Sequence, residues 1–122
     1  MSNTAAHTNS YPENYRNVLK NSQTLASAQP EVMKSFAGLH VAGAAAGALD
    51  NKTKELMCLA ISVVVRCDDC IAYHINDTLK AGASREEMSD ALGVAVLMGG
   101  GPSMIYATHA IEAVDEFLER AS

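Results

Sequence analysis

From residue 11 onward the apolar positions recur at helical rather than alternating intervals, and Pro and Gly fall where helices begin and end, so the pattern predicts an all-α chain. Pro12 and Pro30 each suit a first helical position. The segment from about Pro12 to Ala28 brings Tyr15, Val18, Leu19, Leu25 and Ala26 near one face. A second, starting at Pro30, does the same with Val32, Met33, Phe36 and Leu39, and both read as amphipathic. The tract from His40 to Leu49 mixes helix-forming alanines with Gly43 and Gly47, which leaves open a frayed helix end, a loop or a tight interface. Asp50 can cap a third helix. Its residues Leu56, Met57, Leu59, Ala60, Ile61, Val63, Val64 and Val65 are apolar nearly all round, which predicts a central position.

Cys67-Asp68-Asp69-Cys70 interrupts that run with acidic residues suited to a new helix N-terminus, and the helix that follows reaches Lys80 before Gly82 supplies a stop. Ser84 and Glu87 have the spacing of a capping box, opening a short helix to about Met98. Gly99-Gly100-Gly101-Pro102 then breaks the chain. A last helix from about Pro102 to Glu119 carries Ile105, Ala110, Ile111, Val114, Phe117 and Leu118. Residues 1–10 are polar and read as a flexible N-terminal tail, leaving 11–122 as a single compact helical domain of about six helices.

Composition narrows the picture. A chain of 122 residues can bury one core but not two. With 48% hydrophobic residues, 5% aromatics, no Trp and twenty alanines, that core must be built from small and aliphatic side chains, as in closely packed helices. A formal charge of −5 and the lack of a basic stripe argue against nucleic acid or an anionic membrane surface as partner. The longest apolar runs, Leu56 to Val65 and roughly Phe36 to Leu49, fall short of the ~20 residues that span a bilayer. Three cysteines without an export pattern at the N-terminus point to a reducing compartment, hence a cytoplasmic protein. A chain this apolar with few charges is also expected to hide surface in contacts between subunits.

The informative residues are Cys67, Cys70 and His74, with Glu55 twelve positions before the first cysteine. Separations of three and four place the two cysteines and the histidine on one helical stripe. A CxxC at a helix N-terminus brings the sulfurs within bridging range, and the unpaired N–H groups there favour thiolate, so such a pair can cycle between dithiol and disulfide. His74 is the natural acid/base partner of Cys70. Glu55 lies ~18 Å before Cys67 along its own helix, beyond direct contact. If the two helices fold back as a hairpin, His74 lies ~10 Å from the turn and Glu55 ~18 Å, an offset that the two side chains together could close. The implied order is Glu55, His74, Cys70, with the carboxylate fixing the imidazole tautomer. Asp68 and Asp69 work against thiolate formation, and Arg66 offsets them in part.

These residues carry a resemblance. Glu55, Cys67-x-x-Cys70-x-x-x-His74, then Lys80-Ala81-Gly82-Ala83-Ser84-x-Glu86-Glu87 and the glycine-rich turn before Tyr106-Ala107-Thr108-His109-Ala110 resemble the carboxymuconolactone decarboxylase family in its AhpD-like alkylhydroperoxidase branch, over roughly Leu49 to Glu116. The resemblance implies an all-helical fold, assembly into homotrimers or homohexamers, no cofactor, and reduction of hydroperoxides in antioxidant defence, with an unidentified thiol as reductant. By the same resemblance Cys70 is the peroxidatic residue, Cys67 resolves it, and Glu55 and His74 form a proton relay. One position departs from the pattern: Asp69 stands where the well-studied peroxidase has histidine. The decarboxylase branch proper lacks the cysteine pair, which disfavours lactone decarboxylation.

Other readings compete for the same residues. A thiol–disulfide oxidoreductase, or a redox-sensing oligomer without peroxidase turnover, would use the same pair. A zinc site could draw on Cys67, Cys70, His74 and a carboxylate, but needs further ligands that only Cys58, His40 or His109 could supply, so no metal is expected. Cys58 reads as core filler among Met57, Leu59 and Ala60. His7 and His40 show no companions in sequence, and Tyr106 and His109, one turn apart on the last helix, either face the site or pack, with packing the favoured reading.

Overall fold

In the computed structural model, residues 9–121 are described, and among them the chain forms six helices and no strand: α1 (Tyr11–Ala28), α2 (Pro30–Ala44), α3 (Asn51–Val64), α4 (Asp68–Lys80), α5 (Arg85–Gly99) and α6 (Gly101–Ala121). Most of the expected tail, residues 1–8, lies outside the described residues. Its last residue is part of the fold, because Ser10 caps α1: its Oγ accepts from Glu13 N, and Glu13 Oε1 accepts from Ser10 N at 2.8 Å.

The core is made by the last four helices. Leu59 and Val63 of α3, Ile71 and Ile75 of α4, Met88 and Leu92 of α5, and Val114 of α6 meet in one buried cluster. Ala72, Ala95, Ala110 and Ala113 are buried with them, so small side chains fill part of the core as the composition predicts. Truncating a fully buried residue such as Leu59 would cost about 2–5 kcal/mol. α1 lies against α4 and α6, with Pro12 buried and Tyr11, Tyr15 and Val18 half-covered. Leu19 and Leu25, expected on its apolar face, stay exposed.

One open reading is settled and two expectations are corrected. The Ala-Gly tract is helical as far as Ala44, so α2 runs through His40; its last carbonyls are satisfied by side chains at the start of α3, Asn51 Nδ2 to Ala44 O at 2.8 Å and Lys54 Nζ to Ala45 O at 2.7 Å. α3 is central on one side only. Met57, Ile61 and Val65 face outward, with Ile61 60% exposed. The glycine-rich break is confined to Gly100, whose φ of 70° is the left-handed conformation that glycine adopts without strain. Its neighbour Gly99 is needed for space, since a Cβ there would lie 2.6 Å from Ser103 Cβ.

The amphipathic face expected of α2 exists, but no other helix among the described residues covers it. Val32, Phe36 and Leu39 are each at least 60% exposed, and α2 contributes no buried residue. No described helix is long and apolar enough to cross a membrane.

Candidate active site

The turn between α3 and α4 sets the position of both cysteines. Cys67 N donates to Ser62 O at 3.2 Å and Arg66 N to Val63 O at 3.1 Å, the paired bonds of a Schellman motif. Arg66 occupies the left-handed position, at φ 60°, where glycine is the usual residue. The motif delivers Cys67 straight to the N-cap of α4, where its Sγ accepts from Cys70 N at 3.1 Å. Cys67 and Cys70 are joined in a disulfide, with Cα atoms 5.1 Å apart. The same turn therefore ends one helix, begins the next and holds the disulfide-bonded pair.

α3 and α4 fold back on each other, and the hairpin brings Glu55 to His74: Oε1 of the carboxylate is 3.3 Å from Nδ1 of the imidazole. Glu55 is buried, 4% exposed, and His74 is half-covered. A carboxylate at Nδ1 selects the tautomer with its proton there and leaves the Nε2 lone pair to accept. Thr78, fully buried one turn further on, locks the arrangement. Its hydroxyl proton is shared between the His74 carbonyl and the Glu55 carbonyl, the latter at 3.2 Å, tying the two backbones together beside the side-chain contact. His74 stands one turn beyond Cys70 on α4.

Two residues set aside by sequence reading belong to this neighbourhood. His40, on α2, stacks on His74 with ring centroids 6.1 Å apart and meets the edge of Tyr73 at 5.7 Å, while its Nε2 is 3.9 Å from Asp77 Oδ2. Cys58 is not core filler. It sits half-buried one turn after Glu55 on α3, and Glu55, Cys58 and His74 each offer a donor atom within 4.8 Å of the other two. Burial pushes the Cys58 thiol above its ordinary pKa, and the charges of Glu55 and Asp77 add to the effect. The i, i+3 spacing of Glu55 and Cys58 is the one signal in sequence that could have joined them; His40 gave none, because its place depends on how α2 is laid against α1 and α3.

On the other flank, Asp68 of α4 is held through one carboxylate oxygen. Its Oδ1 accepts from Tyr11 OH at 2.7 Å and lies 3.0 Å from His109 Nδ1, and the His109 ring rests against Tyr106 with centroids 4.8 Å apart. Tyr11 N also donates to Glu116 Oε1 at 2.7 Å, which anchors the start of α1 to α6. Burial, then the Asp68 hydrogen bond and charge, hold the Tyr11 phenol far above the usual tyrosine pKa. Asp69, by contrast, is exposed. The two aspartates expected to act alike on the thiols are thus in different situations.

Comparison with known proteins places this geometry among relatives. The profile of the carboxymuconolactone decarboxylase family matches residues 30–113. A solved carboxymuconolactone decarboxylase family protein from Legionella pneumophila is 40% identical, superposes with a TM-score of 0.84, and the match covers 88% of this chain and 96% of that one. One from Thermotoga maritima, for which a part in the antioxidative response has been suggested, is 36% identical with a TM-score of 0.79, over 88% of this chain and 92% of that one. Alkyl hydroperoxide reductase AhpD of Mycolicibacterium paratuberculosis is 37% identical over 57 residues, 47% of this chain and 32% of that protein.

Proposed function

The chain belongs to the carboxymuconolactone decarboxylase family, and we propose that within it this protein is a thiol-dependent peroxidase that reduces hydrogen peroxide or organic hydroperoxides through Cys67 and Cys70. The observation that carries this reading is the buried Glu55 carboxylate 3.3 Å from His74 Nδ1, one turn beyond a cysteine of a CxxC at a helix N-terminus. In the reduced protein His74, oriented by Glu55, takes the proton of Cys70. The Cys70 thiolate attacks the terminal peroxide oxygen, the O–O bond breaks, and the alcohol or water leaves with the proton returned from His74. Cys67 then attacks the sulfenic sulfur of Cys70 and expels water, closing the disulfide. An external dithiol supplies two electrons to reopen it.

The exposed carboxylate of Asp69, next to Cys70, favours a second reading: a thiol–disulfide oxidoreductase or redox sensor that exchanges disulfides without peroxide turnover. Both readings suit a reducing compartment such as the cytoplasm. The uncovered apolar face of α2, together with exposed Ile61, Leu97 and Met98, supports a homo-oligomer, a hexamer or trimer.

Cys70→Ser separates the two functions from a bland helical protein. Under the peroxidase reading it abolishes peroxide consumption, and Cys67→Ser leaves a sulfenic acid that can be trapped on Cys70. Wild-type peroxide consumption by Cys70→Ser overturns the assignment; exchange with a disulfide donor but no loss of thiols to peroxide selects the oxidoreductase.

A further inference from the structure

Glu55, Cys58 and His74 place a carboxylate oxygen, a thiol sulfur and an imidazole nitrogen within 4.8 Å of one another, on two helices that Thr78 ties together at the same level. We propose that these three side chains form a binding site for a zinc-type divalent cation, distinct from the Cys67–Cys70 pair. Zinc takes sulfur, nitrogen and carboxylate donors at ~2.0–2.3 Å in a tetrahedron, so the three atoms need to draw in by only about 1 Å, within reach of side-chain rotation. A mixed S, N, O set is borderline-soft, which disfavours magnesium and calcium, whose sites are built from oxygens alone. Three protein donors leave a fourth position open. A second trio, His40, His74 and Asp77, meets the same 4.8 Å condition and shares His74, so further donors stand beside the first set.

The redox pair is not needed for this site. With Cys67 and Cys70 joined in the disulfide, Cys58 is the free cysteine of the described residues, and the cation is held in the oxidised protein as well as the reduced one. Occupancy takes the Glu55 and His74 atoms that the proposed relay would use, so a bound cation slows oxidation of Cys70. That consequence rests on the peroxidase reading, whereas cation binding does not, and the test therefore reads binding alone.

The full-length protein, with its disulfide intact, is titrated with Zn2+ against a chromophoric chelator and, separately, with Co2+ to read the thiolate-to-metal charge-transfer band. The expected result is one cation per chain with the band present, both retained in the Cys67→Ser/Cys70→Ser double variant. Cys58→Ser loses the band and weakens zinc by more than about 10-fold, and His74→Gln weakens it likewise. Circular dichroism confirms that each variant is folded. Failure of the wild-type protein to bind, unchanged affinity in Cys58→Ser, or loss of binding in the double cysteine variant overturns the proposal.

Discussion

Two carboxylate–imidazole pairs flank the cysteines, one joining α4 to α3 and the other joining it to α6, and they differ most in how much water reaches them. In the Glu55–His74 pair the side chains are 5% and 19% exposed; in the Asp68–His109 pair they are 39% and 35% exposed. Their separations are similar, 3.3 and 3.0 Å, so distance does not distinguish them. A buried pair interacts through a medium of low dielectric and little screening, whereas one at the rim is screened and contributes roughly 0–1 kcal/mol. The partners differ too. Glu55 faces an imidazole whose backbone is tied to its own through Thr78, while Asp68 divides its acceptor between a phenol and an imidazole. The first pair has the geometry that the proposed relay needs, with Glu55 fixing the imidazole; the second fastens the start of α1 and the side of α6 to the first turn of α4.

The sharpest way to break this contrast is by rate. Glu55→Gln should slow oxidation of Cys70 by hydroperoxide by about 100-fold, the scale of a lost acid–base partner, while Asp68→Asn should change it by less than about 3-fold. Stopped-flow measurement of thiol loss in the reduced protein decides it, and equal effects would erase the distinction.

Next in size is the support beneath the inner pair. Thr78→Val removes a buried hydroxyl that ties α3 to α4, and should cost roughly 1–3 kcal/mol in urea unfolding. It should also slow thiol oxidation, because the Glu55–His74 contact loses its brace.

The outer pair is tested by Tyr11→Phe, expected to cost about 1 kcal/mol at neutral pH with little change in rate. Its pH dependence has a definite sign. Burial and Asp68 raise the folded-state pKa of Tyr11 above its unfolded value, so the phenol's contribution is full below about 10 and is lost as pH rises from there towards the folded value. Wild-type stability should therefore fall on the alkaline side more steeply than that of Tyr11→Phe. Parallel curves would show that the phenol is not held as described.

The smallest effect concerns the turn both pairs depend on. Arg66 and Gly82 occupy the same left-handed position in two Schellman turns, at φ 60° and 92°. Arg66→Gly should stabilise the protein by roughly 0.5–1 kcal/mol, and Gly82→Ala should destabilise it by a similar amount, both read by thermal melting.

Much of this was legible in sequence wherever the governing interaction is local. The Ser84–Glu87 capping box is present with both of its bonds, the Pro30 and Asp50 helix starts fall where punctuation places them, and the side chains of Glu55 and His74 close the offset that a hairpin leaves between them. What could not be read depends on how helices cross. His40 meets His74 only because α2 continues through an alanine–glycine tract whose composition fits several backbones. Cys58 looked like core because its neighbours in sequence are apolar, yet its turn of α3 faces the site rather than the four-helix core. Periodicity identified the apolar stripe of α2 but could not say whether this chain would cover it.

The Cys67 sulfur has a further role that follows from its position. It is the N-cap acceptor for the amide of Cys70, and so serves as a structural group of α4 as well as one end of the disulfide. A thiolate there would hold that amide proton more firmly than a disulfide sulfur does, because negative charge at a helix N-terminus is favourable. The oxidation state of the pair is thereby written into the fraying of one helical turn. Above the pH at which Cys67 ionises, hydrogen–deuterium exchange at the Cys70 amide should be slower in the reduced protein than in the oxidised one, giving a readout of redox state that needs no substrate.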